Sequence, residues 1–331
     1  MRRVLVTGGA GFAGQHLVEE LSARGISTVA TYYRTPPSQA VRRLAQDWFQ
    51  CDIRDTVAMR EVVAREKPEG IVHLAAMSVP REANAQPNEA IQTNVGGWLN
   101  VVDAVHRADL ECRCILISSC QVYGHGVTGT AGFHEELPHQ PYDTYGATRA
   151  SAELLAQAYH RQHNADVLIA RAFDHCGPRQ GPHDFVSRLA RQVARSIKSK
   201  APAVVSVGDL DVQRDFTDVR DVVRAYADLL LHGESGRVYN VCSGVAVFLR
   251  DVVDLVRELT SSDFRVTADA HWTAGRQPQA IFGDPGYIRD TTGWSPEIPL
   301  IDTLSDTLYY WQERLDGDTE SSQEKTAIYL S

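Results

Sequence analysis

Two residues four apart hold the clearest chemical possibility in this chain. Tyr145 and Arg149 fall in a helical stretch, so both project from one face. Upstream, Ser118 and Ser119 close an apolar run that reads as a strand. In a doubly wound sheet the C-terminal strand ends face the ligand crevice, so these hydroxyls meet whatever binds there. A strand-end hydroxyl, a phenol and a cation together make a candidate proton-transfer site. A phenol of ordinary pKa, roughly 10, needs nearby positive charge to ionise closer to neutrality. Taken alone, Tyr145 reads as a tyrosine packing its helix.

The elements that must position these residues begin at the N-terminus. Val4-Leu5-Val6-Thr7 runs into Gly8-Gly9-Ala10-Gly11-Phe12-Ala13-Gly14 and then into a helical pattern with Leu17, Val18 and Leu21 apolar. Gly8 allows a tight turn, Gly11 lets backbone approach a pyrophosphate, and Gly14 packs helix against strand. The helix N-terminus offers free N–H groups and the positive end of its dipole to the phosphates. Strand and helix patterns alternate from there. This predicts an α/β protein: a Rossmann-type doubly wound parallel sheet with helices on both faces, and a smaller C-terminal α/β substrate lobe.

The second strand, Ser27 to Tyr33, ends without an acid and is followed by Arg34. Arginine there suits a 2′-phosphate, so NADP(H) is favoured over NAD(H). Trp48 to Cys51 is a third strand. Asp52-Ile53 follows it, and a carboxylate there can accept from an adenine amino group. Gly70 to Ala75 is a fourth strand, opening into Ala75-Ala76-Met77-Ser78, whose small side chains leave room for a cofactor. Asn88 to His106 is a long helix containing Asn94, Cys114 to Ser118 a fifth strand, Gly124 to Pro141 a polar loop, Thr144 to Gln162 a helix, and Val167 to Ala172 a sixth strand.

The pattern then loosens. Asp174 to Pro182 reads as a Gly/Pro loop and Phe185 to Ile197 as an amphipathic helix. The expected organisation is a dinucleotide-binding domain over 1–173, a mainly substrate-binding lobe over 174–315 and a flexible tail over 316–331. Residues at about 213–242 are expected to return to the first domain, through Val219 to Leu231 and Val238 to Val241.

Composition excludes several partners. The net charge is −9, which offers no electrostatic reason to seek nucleic acid or an anionic membrane. No apolar run approaches the roughly 20 residues needed to span a bilayer. The chain enters a strand at Val4, which does not read as a signal peptide. Cysteines 51, 112, 114, 120, 176 and 242 form no zinc spacing and no CxxC pair, so no metal is expected and free thiols in the cytoplasm are. Only Lys67, Lys198, Lys200 and Lys325 are lysines; arginine carries positive charge nearly everywhere.

The motifs Thr7 to Gly14, His73-Leu74-Ala75-Ala76, Ser118-Ser119-Cys120-Gln121-Val122-Tyr123-Gly124, Tyr145-Gly-Ala-Thr-Arg149, Arg171 to Pro178 and Gln213 to Asp221 resemble the extended short-chain dehydrogenase/reductases, the nucleotide-sugar epimerases, dehydratases and reductases. Gly177-Pro178-Arg179-Gln180, Phe185 to Ala194 and Arg276-Gln277-Pro278 are most similar to the GDP-mannose 4,6-dehydratase and GDP-4-keto-6-deoxymannose reductase group. The resemblance implies a catalytic set of Ser119, Tyr145 and Arg149. It implies a cofactor set of Gly8, Gly11, Phe12, Ala13, Gly14, Arg34, Asp52, Ile53, Leu74, Ala75, Ala76, Ser78, Asn94, Ser118, Tyr145, Arg149 and Ala172. For the substrate, a nucleotide-diphosphate sugar, it implies Ser119, Cys120, Gln121, Asp174, Arg179, Val186, Arg214 and Arg276. It also implies a homodimer built on the helices around 88–106 and 144–162.

Two departures from the family pattern carry information. The family's Tyr-x-x-x-Lys stands here as Tyr145-x-x-x-Arg149. In the family the lysine bonds the nicotinamide ribose and eases ionisation of the tyrosine. Arginine keeps the charge but is bulkier and never deprotonates, so a proton relay through it is lost. The 4,6-dehydratases place an Asp-Glu pair after the catalytic hydroxyl, where this chain has Cys120 and Gln121. Elimination then lacks its acid and base, while carbonyl reduction needs neither. The expected activity is NADP-dependent reduction of a nucleotide-linked 4-keto-6-deoxy sugar. A nucleotide-sugar epimerase is the first alternative and a catalytically impaired nucleotide-binding protein the second.

Overall fold

Strands of the main sheet are apolar on both sides because both sides are covered. Along β1 (Arg3–Thr7), Val4 and Val6 enter one core and Leu5 the other, all fully buried, as the two-residue period of a strand requires. The computed structural model describes residues 1–125, 132–199, 204–261, 264–268 and 278–328, with side chains described no further than Leu315.

The first half alternates strictly. β1 is followed by α1 (Phe12–Ala23), β2 (Ser27–Tyr32), α2 (Gln39–Arg42), β3 (Asp47–Gln50), α3 (Thr56–Glu66) and β4 (Gly70–His73). Two short helices, α4 (Pro80–Ala85) and α5 (Pro87–Ala90), lead through a π turn (Ile91–Gly96) into α6 (Gly97–Arg107). β5 (Arg113–Ser119), a 3₁₀ turn (Cys120–Tyr123), α7 (Thr144–His163) and β6 (Val167–Ala172) complete this part. α7 starts at Thr144 because Asp143 accepts from the Gly146 N–H, and α3 starts at Thr56 because Asp55 does the same for Val57 and Ala58.

The second half contributes β7 (Asp174–Cys176), α8 (Phe185–Ser199), β8 (Val204–Val207), β9 (Gln213–Arg214), β10 (Phe216–Asp218), α9 (Val219–His232), β11 (Val238–Val241), β12 (Val247–Phe248), α10 (Leu249–Thr260), β13 (Arg265–Ala268), β14 (Ala280–Ile281), α11 (Gly286–Thr292) and α12 (Leu300–Ile328). The main sheet has seven parallel strands in the order β11-β6-β5-β4-β1-β2-β3, the doubly wound Rossmann arrangement with β11 added at one edge. Cores on its two faces are built on α1 and α9 and on α3, α6 and α7. A separate core, with Val186, Leu189, Val193, Val253, Phe264, Leu304 and Trp311, holds α8, α10 and α12 together.

Three sequence expectations need amendment. Asp174–Cys176 is a strand inside the expected loop, paired in parallel with Phe216–Asp218. The long helix around Asn94 is interrupted by the π turn. The last helix, α12, is continuous to Ile328, so the chain expected as an irregular tail after Leu315 is helical that far.

Candidate active site

The sheet grows outward in opposite directions from β1 and β4, and the loops at their C-terminal ends meet. Gly8 takes the left-handed φ of +68°, and a Cβ there would lie 2.8 Å from the Ala75 Cα. A Cβ on Gly14 would collide with the Gly8 carbonyl oxygen and lie 2.7 Å from the Gly9 Cα. Only glycine permits this cradle. Gly11 caps α1 without any side-chain bond, so the first-turn amides open toward the crevice. The cradle fits the pyrophosphate of a dinucleotide. Thr7 ties its rim: its hydroxyl accepts from the Ala75 N–H at 3.3 Å and donates to His73 Nδ1 at 2.8 Å. Burial, with Arg149 nearby, brings the His73 pKa down to about 3, so the imidazole stays a neutral acceptor.

Two guanidinium groups gather where β2 and β3 end. Arg34 is exposed and lies over the Tyr33 ring, 4.8 Å from its centroid. Asp52, expected to read adenine, is first engaged by Arg54 at 2.7 Å, which holds its carboxyl below the usual range. Arg54 also donates to the Tyr33 hydroxyl at 2.9 Å. Ile53 is buried against α6 at Gly97, where a Cβ would strike its side chain.

Asn94 sits in the π turn and is 1% exposed. Its carboxamide accepts from the Met77 N–H at 2.8 Å and donates to the Met77 carbonyl and to Thr148 Oγ1. Thr148 in turn donates to the Tyr145 carbonyl at 2.8 Å. Asn94 therefore clamps the small-residue loop, with Leu74, Ala75, Ala76 and Ser78, against the turn bearing Tyr145. Asn84 adds a second hold. It accepts from the Tyr145 N–H at 3.0 Å and donates to Asp143 at 2.9 Å. Sequence reasoning missed both Asn84 and Asp143. An acid directly before a helical run was the available signal for Asp143 as a cap; Asn84 carried none.

The Tyr145 ring is buried against Met77, Ala83 and Ala90. Arg149 lies over it, 5.2 Å from guanidinium carbon to ring centroid. Arg149 is 6% exposed and donates to the Ile117 carbonyl at 3.2 Å, while its Nε is buried without a partner among the described residues. Ser119 ends β5, and its Oγ accepts from the Gln121 N–H at 3.2 Å. Ser118 faces elsewhere: its hydroxyl donates to the buried Glu153 at 2.5 Å. Ala172 is buried next to it, in register with Ser119.

The two residues after Ser119, Cys120 and Gln121, carry no carboxyl group. Burial, with Asp174 nearby, pushes the Cys120 thiol well above its ordinary range, so it stays protonated. Gln121 Oε1 is buried without a hydrogen-bond partner among the described residues. Asp174 is 46% open to the cleft yet walled by protein, which raises its pKa; Arg214, 3.9 Å away, opposes that rise. The remaining substrate expectations fare differently. Arg179 bonds Glu19 and His16 of α1. Val186 lies in the core of the second lobe, 2% exposed. Arg276 lies outside the described residues.

Residues 4–242 match the model of the NAD dependent epimerase/dehydratase family. A GDP-6-deoxy-D-mannose reductase of Pseudomonas aeruginosa is 32% identical over 314 residues, 95% of this chain and 98% of that one. The structure of RMD from Pseudomonas aeruginosa complexed with NADPH is similar with a TM-score of 0.83 and 31% identity, covering 95% of this chain and 98% of that one. So is a Thermus thermophilus UDP-glucose 4-epimerase in complex with NAD, with a TM-score of 0.83, 25% identity and coverage of 94% and 99%. Among the described residues, no helix is long and apolar enough to cross a membrane, and no group of three or more His, Cys, Asp or Glu could hold a metal ion.

Proposed function

From the premise that this chain belongs to the NAD dependent epimerase/dehydratase family, and so is an NAD(P)-dependent oxidoreductase of nucleotide sugars, we propose that it reduces a nucleotide-linked 4-keto-6-deoxy sugar, GDP-linked, with NADPH. The observation that carries this reading is the stretch after Ser119. A dehydratase needs a proton donor and a carboxylate base there. This chain offers a thiol held protonated by burial and a carboxamide. The unpartnered Gln121 Oε1 can accept from a sugar hydroxyl but cannot take a proton at neutral pH.

NADPH, when bound, supplies the hydride to C4. Tyr145 donates its phenolic proton to the oxygen developing charge at C4, and Ser119 hydrogen-bonds the same oxygen. Arg149 keeps positive charge against the phenol ring as the proton leaves. Because guanidinium does not deprotonate, the proton is not relayed through Arg149. Arg34, two residues past the end of β2, favours the 2′-phosphate of NADPH. Asp174 and Arg214 line the sugar side of the cleft. The reading includes a homodimer. Ile91 and Leu154, on adjacent helical segments, are 50% and 54% exposed, and sedimentation at micromolar concentration tests that pairing.

The reaction is tested by mixing purified protein, NADPH and GDP-4-keto-6-deoxymannose and following the reduced-cofactor absorbance. Consumption of NADPH that Tyr145→Phe abolishes is expected. No oxidation, with wild type and variant alike, overturns the reading. Tightly held cofactor and a new sugar epimer without net oxidation would place the activity with the epimerases instead.

A further inference from the structure

The chain that follows β7, the strand bearing Asp174, folds back onto α1. Arg179 lies there at φ +74°, a left-handed conformation that residues other than glycine seldom adopt. Its guanidinium forks onto Glu19 of α1, Nη1 to Oε1 at 2.7 Å and Nη2 to Oε2 at 2.5 Å. Such a two-pronged pair fixes direction as well as distance. Nη2 also donates to His16 Nδ1 at 2.7 Å, and His16 Nε2 donates to the Pro178 carbonyl at 3.0 Å. Arg179 Nε also lies 3.3 Å from the same His16 Nε2. Burial and the Arg179 charge lower the His16 pKa to about 4, so the ring stays neutral.

A ring stack runs beside the ion pair. Phe12, the first residue of α1, lies parallel to His175 with centroids 5.8 Å apart, and meets His16 edge-on at 5.7 Å. Both ends of this assembly carry ligand-facing groups. At one end α1 points its N-terminus at the phosphate cradle. At the other, β7 presents Asp174 to the cleft beside Arg214. A left-handed position filled by arginine rather than glycine implies that its side chain does something glycine could not.

We propose that Arg179 is a positioning residue for the reaction: it latches the sugar-side segment 174–180, β7 and the loop that follows it, to α1, so that seating of the dinucleotide orders the sugar subsite. The affinity part of this proposal rests on the nucleotide-sugar reading above; the segment-ordering part does not. By linkage, a sugar nucleotide that seats against the ordered segment also tightens the hold on the cofactor.

Hydrogen exchange of segment 174–180, with and without saturating NADPH, tests the latch directly. In wild type NADPH is expected to slow exchange in this segment about tenfold, within the usual range of coupling between sites. In Arg179→Met, at equal cofactor occupancy, the segment is expected to keep its cofactor-free rate, and Arg179→Lys to restore part of the protection. In steady state, Arg179→Met is expected to raise the KM for the sugar nucleotide about tenfold while kcat changes little. Equal protection in wild type and Arg179→Met, or none in wild type, overturns the proposal. So does a fall in melting temperature with KM and kcat both unchanged, which would make the pair a purely structural tie. If no nucleotide sugar is reduced at all, the functional reading falls, and the exchange experiment still decides the latch.

Discussion

Two buried arginines each lie over a tyrosine ring, and their surroundings differ in kind. Arg171 is 4.7 Å from the Tyr123 centroid and Arg149 is 5.2 Å from that of Tyr145. Arg171 is saturated. It bonds both carboxylate oxygens of Glu153, at 2.8 Å for the shortest, and the Glu135 carbonyl at 3.1 Å. Its Nη2 also sits 2.8 Å from His139. Arg149 donates to a strand carbonyl and, among the described residues, leaves Nε buried without a partner. A fully paired guanidinium holds a fold together. A partly paired one, kept buried beside a phenol, carries an uncompensated cost in desolvation, which the proposed cofactor contact would relieve.

The largest effect expected from this contrast is on catalysis. In the proposed reaction Tyr145→Phe removes the proton donor and keeps the ring, so kcat should fall by about 10²–10⁴-fold. The melting temperature should hardly move. A variant that keeps its rate would erase the distinction between the two arginines.

Next comes the saturated site. Glu153→Ala leaves Arg171 buried and unpaired, which costs about 3–5 kcal/mol of stability by denaturant titration. Burial alone would raise the Glu153 pKa, but the bonds from His139, Arg171 and Ser118 outweigh it and lower the value. A depressed carboxylate contributes its stability above the ordinary carboxylate pKa and loses it as pH falls through the folded value. Wild type should therefore lose this contribution on acidification below about pH 4.5. Glu153→Ala should lack it at every pH.

A third guanidinium, Arg34, is exposed and sharpens the comparison from the other side. Arg34→Leu should weaken NADPH binding about tenfold while leaving NADH nearly unchanged, measured by fluorescence titration. Equal losses for both cofactors would remove the reason for favouring the 2′-phosphate.

The smallest effect concerns Arg179 and its neutral partner. The His16 pKa is lowered to about 4 in the folded chain, against roughly 6.5 when unfolded. The unfolded state then binds more protons between those values. This contribution to stability is complete above about pH 6.5 and is lost as pH falls toward 4, with a slope of at most one proton. In His16→Asn that part of the slope should vanish.

Much of the frame was legible because parallel strands covered on both faces announce themselves as short apolar runs. The glycine spacing after β1 marked the cradle, and the i, i+4 relation of Tyr145 and Arg149 put both on one helical face. What could not be read were relations between distant segments. Arg179 sits in a motif that suggests phosphate, but its partner Glu19 lies 160 positions away. Glu153 and Arg171 belong to different elements, and neither composition nor period hints that they meet. β7 escaped because three residues amid glycine and proline carry no period, and its partner β10 is equally short. Ser118 and Ser119 are neighbours in sequence, yet one hydroxyl donates into a buried ion pair and the other lies at the 3₁₀ turn.

The π turn bears on what this chain can lose. Such a turn carries about one residue more than an α-helical turn. Asn94 must reach Met77 from within it, and Trp98, four positions on, must stay wholly buried. Excising one residue between them would tighten the spiral and swing one anchor about 100° around the axis relative to the other. Either the clamp or the tryptophan would then face the wrong way. A one-residue deletion in this turn is therefore expected to cost the Asn94 clamp or the burial of Trp98, whichever anchor is displaced.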